Sequence, residues 1–70
     1  MSLPLATKAL ELSTRLATLV ERIHRGLREG LPLESLGQEL EESLALLSIL
    51  ERVLERLWLE ATGVGVEEQA

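Results

Sequence analysis

The tripeptide Gly30-Leu31-Pro32 divides the chain into two long segments of helix-forming sequence. Glycine readily adopts the left-handed conformation that ends helices, and proline prevents the helix from continuing. Apolar residues recur at helical spacing on both sides of this break. The sequence therefore predicts an all-α fold, an antiparallel helical hairpin in one domain over residues 1–63. We place helix one at about 4–29, the turn at 30–32, helix two at about 33–62 and a flexible tail at 64–70.

Two features near the bend leave local alternatives open. Ser35 and Gln38 have the spacing of a capping box, so residues 33–36 are alternatively a separate turn before helix two. Gly26 and Gly37 are expected to lie opposite each other across the bend. Each glycine lowers helix stability by about 1 kcal/mol relative to Ala inside a helix. The two glycines therefore indicate either a close approach of the two backbones or simply weak helix ends.

The two apolar stripes match each other when the chain is folded at the break. Helix one presents Leu5, Ala9, Leu12, Leu16, Leu19, Ile23 and Leu27. Helix two presents Leu36, Leu40, Leu44, Leu47, Leu50, Leu54 and Leu57. The predicted pairs run from Ile23 with Leu40 beside the bend to Leu5 with Leu57 at the open end, because both helices rise by about 1.5 Å per residue. We expect these two stripes to form the hairpin seam.

Helix two carries more apolar residues than one seam can bury. Leu46, Ile49 and Val53 repeat at helical spacing on a different side, and residues 44–50 are apolar all round apart from Ser48. Such a helix is normally buried, and an exposed patch of this kind usually marks an interface. We therefore expect Leu46, Ile49 and Val53 to form an oligomer interface that joins two hairpins into a four-helix bundle, as a homodimer or higher oligomer. The alternative is a small subunit of a hetero-complex, in which these residues contact another protein.

Trp58 is the sole aromatic residue of the chain. We expect it to cover the open end of the hairpin near Leu5. The alternative is that it anchors a partner, since Trp is enriched at the residues that dominate binding energy.

The composition offers little for catalysis or metal binding. The chain has no Cys and one His, and Ser13, Ser43 and Ser48 have no base nearby in the predicted arrangement. Glu21 and His24 match the Glu-x-x-His spacing of di-iron bundles, but Glu21 falls on the polar face, outside a bundle core. We therefore expect a non-catalytic interaction module with no cofactor and no metal.

Charge is divided unevenly between the two halves. Residues 1–31 carry five basic and three acidic side chains, whereas residues 32–70 carry two and nine. Arg22, Arg25 and Arg28 form a basic cluster at the end of helix one, which supports the alternative of a nucleic-acid-binding four-helix bundle that uses these residues for anion contact. The predicted seam gives this cluster acidic neighbours, such as Glu41 beside Arg22, and the net charge is −5. The sequence thus favours self-association over nucleic-acid binding.

The chain lacks the features of a membrane protein. Its longest apolar run is far shorter than the roughly 20 residues that cross a bilayer, and helix two is acidic where lipid-binding helices are basic. We expect no membrane partner and a cytoplasmic location.

The segment Gly37-Gln38-Glu39-Leu40-Glu41 resembles the Ser-Gln-Glu-Leu-Asp signature of the small helical-hairpin phosphatases of sporulation phosphorelays. The resemblance covers five residues. Gly37 stands where that signature has Ser, and Glu41 stands where it has Asp. Because both defining positions differ, we carry no activity over from that family.

Overall fold

The computed structural model describes residues 3–63. Helix α1 (Leu3–Arg28) and helix α2 (Gly37–Thr62) are joined by residues 29–32 and a short 3-10 helix, Leu33–Leu36. The two α-helices pack along their length as an antiparallel hairpin of 51 by 20 by 16 Å. The predicted all-helical hairpin is confirmed, and so is the alternative that residues 33–36 form a separate turn. The predicted tail at 64–70 lies outside the described residues.

Gly30 ends α1 in the way that the sequence predicts. Its φ of 74° is the left-handed conformation that glycine adopts without strain. The Leu31 amide donates to the Gly26 carbonyl at 3.0 Å and the Gly30 amide to the Leu27 carbonyl at 3.1 Å. These two hydrogen bonds form a Schellman motif, which satisfies carbonyls that the helix end would otherwise leave free.

The start of α2 differs from the predicted capping box. The Ser35 hydroxyl donates to the Pro32 carbonyl at 2.7 Å, at the start of the 3-10 helix. Leu36 occupies the position before α2 and provides no side-chain cap. Gly63 ends α2 with a φ of 72°, and its amide donates to the Leu59 carbonyl at 2.7 Å.

The interior of the hairpin consists of one stripe from each segment, with residues spaced alternately three and four apart. The first segment contributes Leu5, Ala9, Leu12, Leu16, Leu19, Ile23 and Gly26. The second contributes Leu36, Glu39, Ser43, Leu46, Leu50, Val53 and Leu57. All of these are buried or half-buried. We call these two sets the interior stripes; alternate spacing of three and four keeps each stripe facing the other helix along its whole length.

The predicted seam is wrong at several positions on α2. Leu46 is only 6% exposed and belongs to the buried core, and Val53 packs against that core. Four predicted seam residues are exposed instead: Leu40, Leu44, Leu47 and Leu54. The predicted stripe contained consecutive spacings of four and of three, which drift around a helix, whereas the observed stripe alternates regularly. Leu46 and Val53 are therefore not available as an exposed interface, and that part of the prediction is wrong.

Gly26, and not Leu27, completes the interior stripe of α1. An ideal Cβ on Gly26 would lie 2.7 Å from Cδ2 of Leu36, whereas Leu27 is exposed. The absent side chain at Gly26 thus makes room for Leu36 where the chain turns back. Nothing lies within 4 Å of a Cβ placed on Gly37, so the close approach involves a leucine side chain and one glycine, not two glycines.

Candidate interaction surfaces

The hairpin carries an extended apolar surface along one long side, interrupted by a few polar residues. On each helix it is formed mainly by the residues that directly follow the interior stripe. We call it the apolar side; α1 contributes Leu3, Ala6, Leu10, Ala17, Val20 and Leu27, and α2 contributes Leu40, Leu44, Leu47, Leu54, Trp58 and Ala61. Ser13, His24, Gly37 and Glu51 occupy the remaining positions of the same pattern.

Helix geometry explains why the contributions of α1 and α2 fall on the same side. Seen from one end of the hairpin, α1 runs away from the viewer and α2 runs toward the viewer. Residues of two right-handed helices therefore advance around their axes in opposite senses. Residues one position after an interior residue therefore lie on the same side of the hairpin in both helices. Residues one position before an interior residue lie on the opposite side in both helices.

An ion pair marks the opposite side. Arg15 and Glu42 each precede an interior residue by one position, and Arg15 Nη2 lies 3.4 Å from Glu42 Oε2 across the two helices. We call this the polar side. It holds six of the seven basic residues, Lys8, Arg15, Arg22, Arg25, Arg52 and Arg56, together with Glu11 and Glu42.

Ile49 lies on the polar side, two helical turns after Glu42. It is 45% exposed, as the prediction of a surface residue requires. Its surroundings are charged, however, because Arg52 and Arg56 follow it along the same side of α2. No observation tests Ile49 as an interface residue, and its two predicted companions lie in the interior.

The predicted basic cluster is divided between two surfaces. Arg22 and Arg25 lie on the polar side, whereas Arg28 lies two positions past Gly26, on the outer edge of α1. Arg25 Nη2 is 3.2 Å from Glu21 Oε1, one helical turn earlier. Among residues 3–63 there is no ion pair between Arg22 and the predicted Glu41. The basic residues are exposed and close to water, where such pairs contribute little to stability.

Trp58 is 56% exposed and lies on the apolar side near the open end. More than half of Trp58 is therefore accessible to solvent, so its ring is not buried at the open end. A small cavity of about 310 Å³ nearby is lined by Ala6, Leu57, Glu60 and Ala61. The ring thus remains accessible to solvent, and the alternative of a partner anchor stays a prediction.

The hydroxyl groups of the two helices are mostly used by the backbone. Thr14, Thr18 and Thr62 each donate to the carbonyl four residues earlier, and Ser13 donates to the carbonyl of Leu10. The buried Ser43 hydroxyl has no hydrogen-bond partner among the described residues. It lies in the interior stripe, between helices, and no basic side chain occupies that stripe.

Among residues 3–63, no three His, Asp, Glu or Cys side chains lie together in a group that could hold a metal ion. Glu21 lies on the outer edge of α1 and accepts a hydrogen bond from Arg25, and His24 lies on the apolar side. The Glu-x-x-His pair therefore lies on the surface of one helix and does not face the other helix.

Comparisons with known proteins place the chain in no family. No protein-family model, no curated protein and no solved structure matches it. Over residues 3–63, neither helix is apolar over a length that could cross a bilayer.

Proposed function

We propose that this chain is a non-catalytic self-association module, in which two hairpins join through their apolar sides to form a four-helix bundle. The observation that carries this proposal is that the exposed apolar residues of both helices share one long side. In four-helix bundles each helix presents two interior positions per heptad and one flanking position to the core. The interior stripes supply the two interior positions, and the apolar side supplies two flanking positions per heptad, one more than this pattern requires.

The core of a single hairpin is thin. Its least exposed large apolar side chain, Leu36, retains 5% exposure, and twelve large apolar side chains within the described residues are clearly exposed. Domains of this size seldom gain more than about 3–5 kcal/mol from one core and normally need disulfides, a metal or a partner. Because the sequence contains no Cys, disulfides cannot supply the missing stability. A second copy can.

The area of the apolar side matches that requirement. The exposed side chains of its large residues sum to roughly 900 Å² per chain, against about 800 Å² per partner in stable protein interfaces. Monomeric proteins typically expose apolar patches of only about 300–600 Å². The patch also runs along most of the hairpin, which suits a partner of the same length and shape. A second copy of the chain meets that condition.

Sedimentation equilibrium over a range of protein concentrations tests the proposal. We expect a mass of twice 7.7 kDa and a melting temperature that rises with protein concentration, because dimerisation stabilises the fold by mass action. A helical chain that stays monomeric at all concentrations would contradict self-association. That result would favour the alternative in which a different protein covers the apolar side as part of a hetero-complex.

A second candidate is nucleic-acid binding at the polar side, favoured by the concentration of six basic residues there. The charged side chains would contact phosphates, and the absence of aromatic residues among them argues against stacking on bases. The test measures the affinity of the wild type and of the double variant Arg22→Gln/Arg25→Gln for labelled duplex RNA and DNA at several salt concentrations. Arg28→Gln, on the outer edge, is the control. Tight, salt-sensitive binding that only the double variant loses would establish this function.

A further inference from the structure

We propose that the two hairpins dock with their loops at the same end, so that α1 of each copy packs against α2 of the other. This inference rests on the proposed self-association. Two hairpins that meet through the apolar side can be related by a two-fold axis along the hairpin or by one across it. The first arrangement places unlike helices face to face, and the second places α1 on α1 and α2 on α2.

The sizes of the side chains favour unlike helices. The middle of α1 presents small residues to the apolar side, Ser13 and Ala17, whereas the middle of α2 presents Leu44, Leu47 and Glu51. When the two-fold axis runs along the hairpin, residues keep their level along the bundle. Leu47 of one copy then lies level with Ser13 and Ala17 of the other, so this layer combines a large with small side chains. Cores pack well when large and small residues alternate across facing positions.

The same alignment accommodates Trp58. It lies near the open end of α2 and is placed level with Leu3 and Ala6 at the start of α1 of the other copy. Docking of like helices would instead bring Leu47 of α2 against Leu47 of the second copy. It would also bring Ser13 and Ala17 together on the α1 side. The two α2 helices would be held apart while the two α1 helices were underpacked, which costs stability through cavities.

The charges of the helices favour the same arrangement. Helix α1 has five basic and two acidic residues, a net charge of +3, and α2 has two basic and six acidic residues, a net charge of −4. With unlike helices face to face, each helix has neighbours of opposite charge on both sides. With like helices face to face, two acidic helices are adjacent and two basic helices are adjacent. Juxtaposed like charges disfavour a docking mode and so help to specify the other.

The distance between the two loops decides between the arrangements. Because the chain has no Cys, the variant Glu34→Cys carries one spin label per chain, at an exposed position of the 3-10 helix. We expect a label-to-label distance of roughly 25 Å, set by the spacing of helices in a bundle plus the label arms. Docking with loops at opposite ends would give about 40 Å, the rise of a 26-residue helix. Mixing with an excess of unlabelled chain should remove the dipolar signal, which confirms that it arises between copies.

The outcomes separate this inference from the proposed function. A dimeric mass with the short distance supports both. A dimeric mass with the long distance overturns the docking inference and leaves self-association standing. A monomeric mass for both the labelled and the unlabelled chain overturns both proposals.

Discussion

Leu47 and Ile49 form a matched pair for testing which surface of α2 binds a second copy. They are two residues apart on the same helix and have almost equal exposure, 47% and 45%. Leu47 lies on the apolar side and Ile49 on the polar side, beside Arg52 and Arg56. We predict that Leu47→Glu disrupts the dimer, whereas Ile49→Glu leaves it intact because the new carboxylate lies in water near two arginines.

The magnitude follows from the area that the dimer would bury. The exposed half of Leu47 is roughly 80 Å², worth about 2 kcal/mol per copy at about 25 cal/mol per Å². Both copies lose this contribution, so the dimer loses about 4 kcal/mol before any cost of placing two carboxylates in an apolar interface. Since about 1.4 kcal/mol corresponds to a tenfold change in affinity, the dimer Kd should rise by at least about a thousandfold.

Sedimentation equilibrium gives the Kd of each variant, and circular dichroism gives the helicity and melting temperature. Leu47→Glu should be a monomer with a lowered melting temperature, because a single hairpin has a thin core. Ile49→Glu should match the wild type within about 0.5 kcal/mol, the usual effect of a surface substitution. The assignment of the apolar side would be refuted if Leu47→Glu kept the wild-type mass and stability. A loss of the dimer in Ile49→Glu alone would refute it equally.

Five further substitutions, one of them a control, test details of the packing. Glu51→Leu replaces the acidic residue between Leu47 and Leu54 on the apolar side. It should lower the dimer Kd by about tenfold or more, since it adds buried apolar area. The control Glu55→Leu, on the outer edge, should leave the Kd measured by sedimentation unchanged. Ser43→Ala removes a buried hydroxyl without a partner in the described residues and should raise the free energy of unfolding in urea by about 1 kcal/mol; a loss of stability would show that the hydroxyl is satisfied. Gly26→Val should cost about 1–3 kcal/mol in the same assay through overpacking against the 3-10 helix, whereas Gly37→Ala has open space and should stabilise by up to about 1 kcal/mol.

The helices and the bend could be predicted because single residues specify them. Gly30 takes the left-handed conformation that ends α1, and Pro32 stands where a continuing helix would need an amide donor. These are local effects that depend on a few neighbouring residues. The ends of α1 and α2 accordingly lie within a few residues of the predicted bounds, apart from the 3-10 turn that precedes α2.

The seam on α2 could not be predicted from apolarity alone. Leu46 and Leu47 are adjacent and equally apolar, so each is an acceptable core residue by composition. The observed choice places Ser43 and Glu39 in the interior stripe, although Leu44 and Leu40 are available one residue later. Regular spacing argues against the predicted stripe, whose spacings are uneven, because the stripe of α1 alternates three and four residues. It does not select between the observed stripe and the residues one position later, which alternate in the same way and include as many apolar side chains. That choice depends on how the side chains of α2 pack against α1.

The position of the seam determines what each remaining surface can do. Placing Leu46 inside leaves Leu47 outside, and it leaves Leu40, Leu44 and Leu54 on the same side as Leu47. A seam one residue later would instead have placed Leu40, Leu44, Leu47 and Leu54 inside and left Leu46, Leu50 and Val53 outside. The exposed surface of α2 is therefore defined by tertiary packing against α1, and a residue such as Leu47 becomes a binding residue because its neighbour occupies the core. On this basis, overpacking of the interior stripe by Ser43→Leu should weaken self-association in sedimentation and lower the free energy of unfolding, although Ser43 lies between α1 and α2 and not on the apolar side.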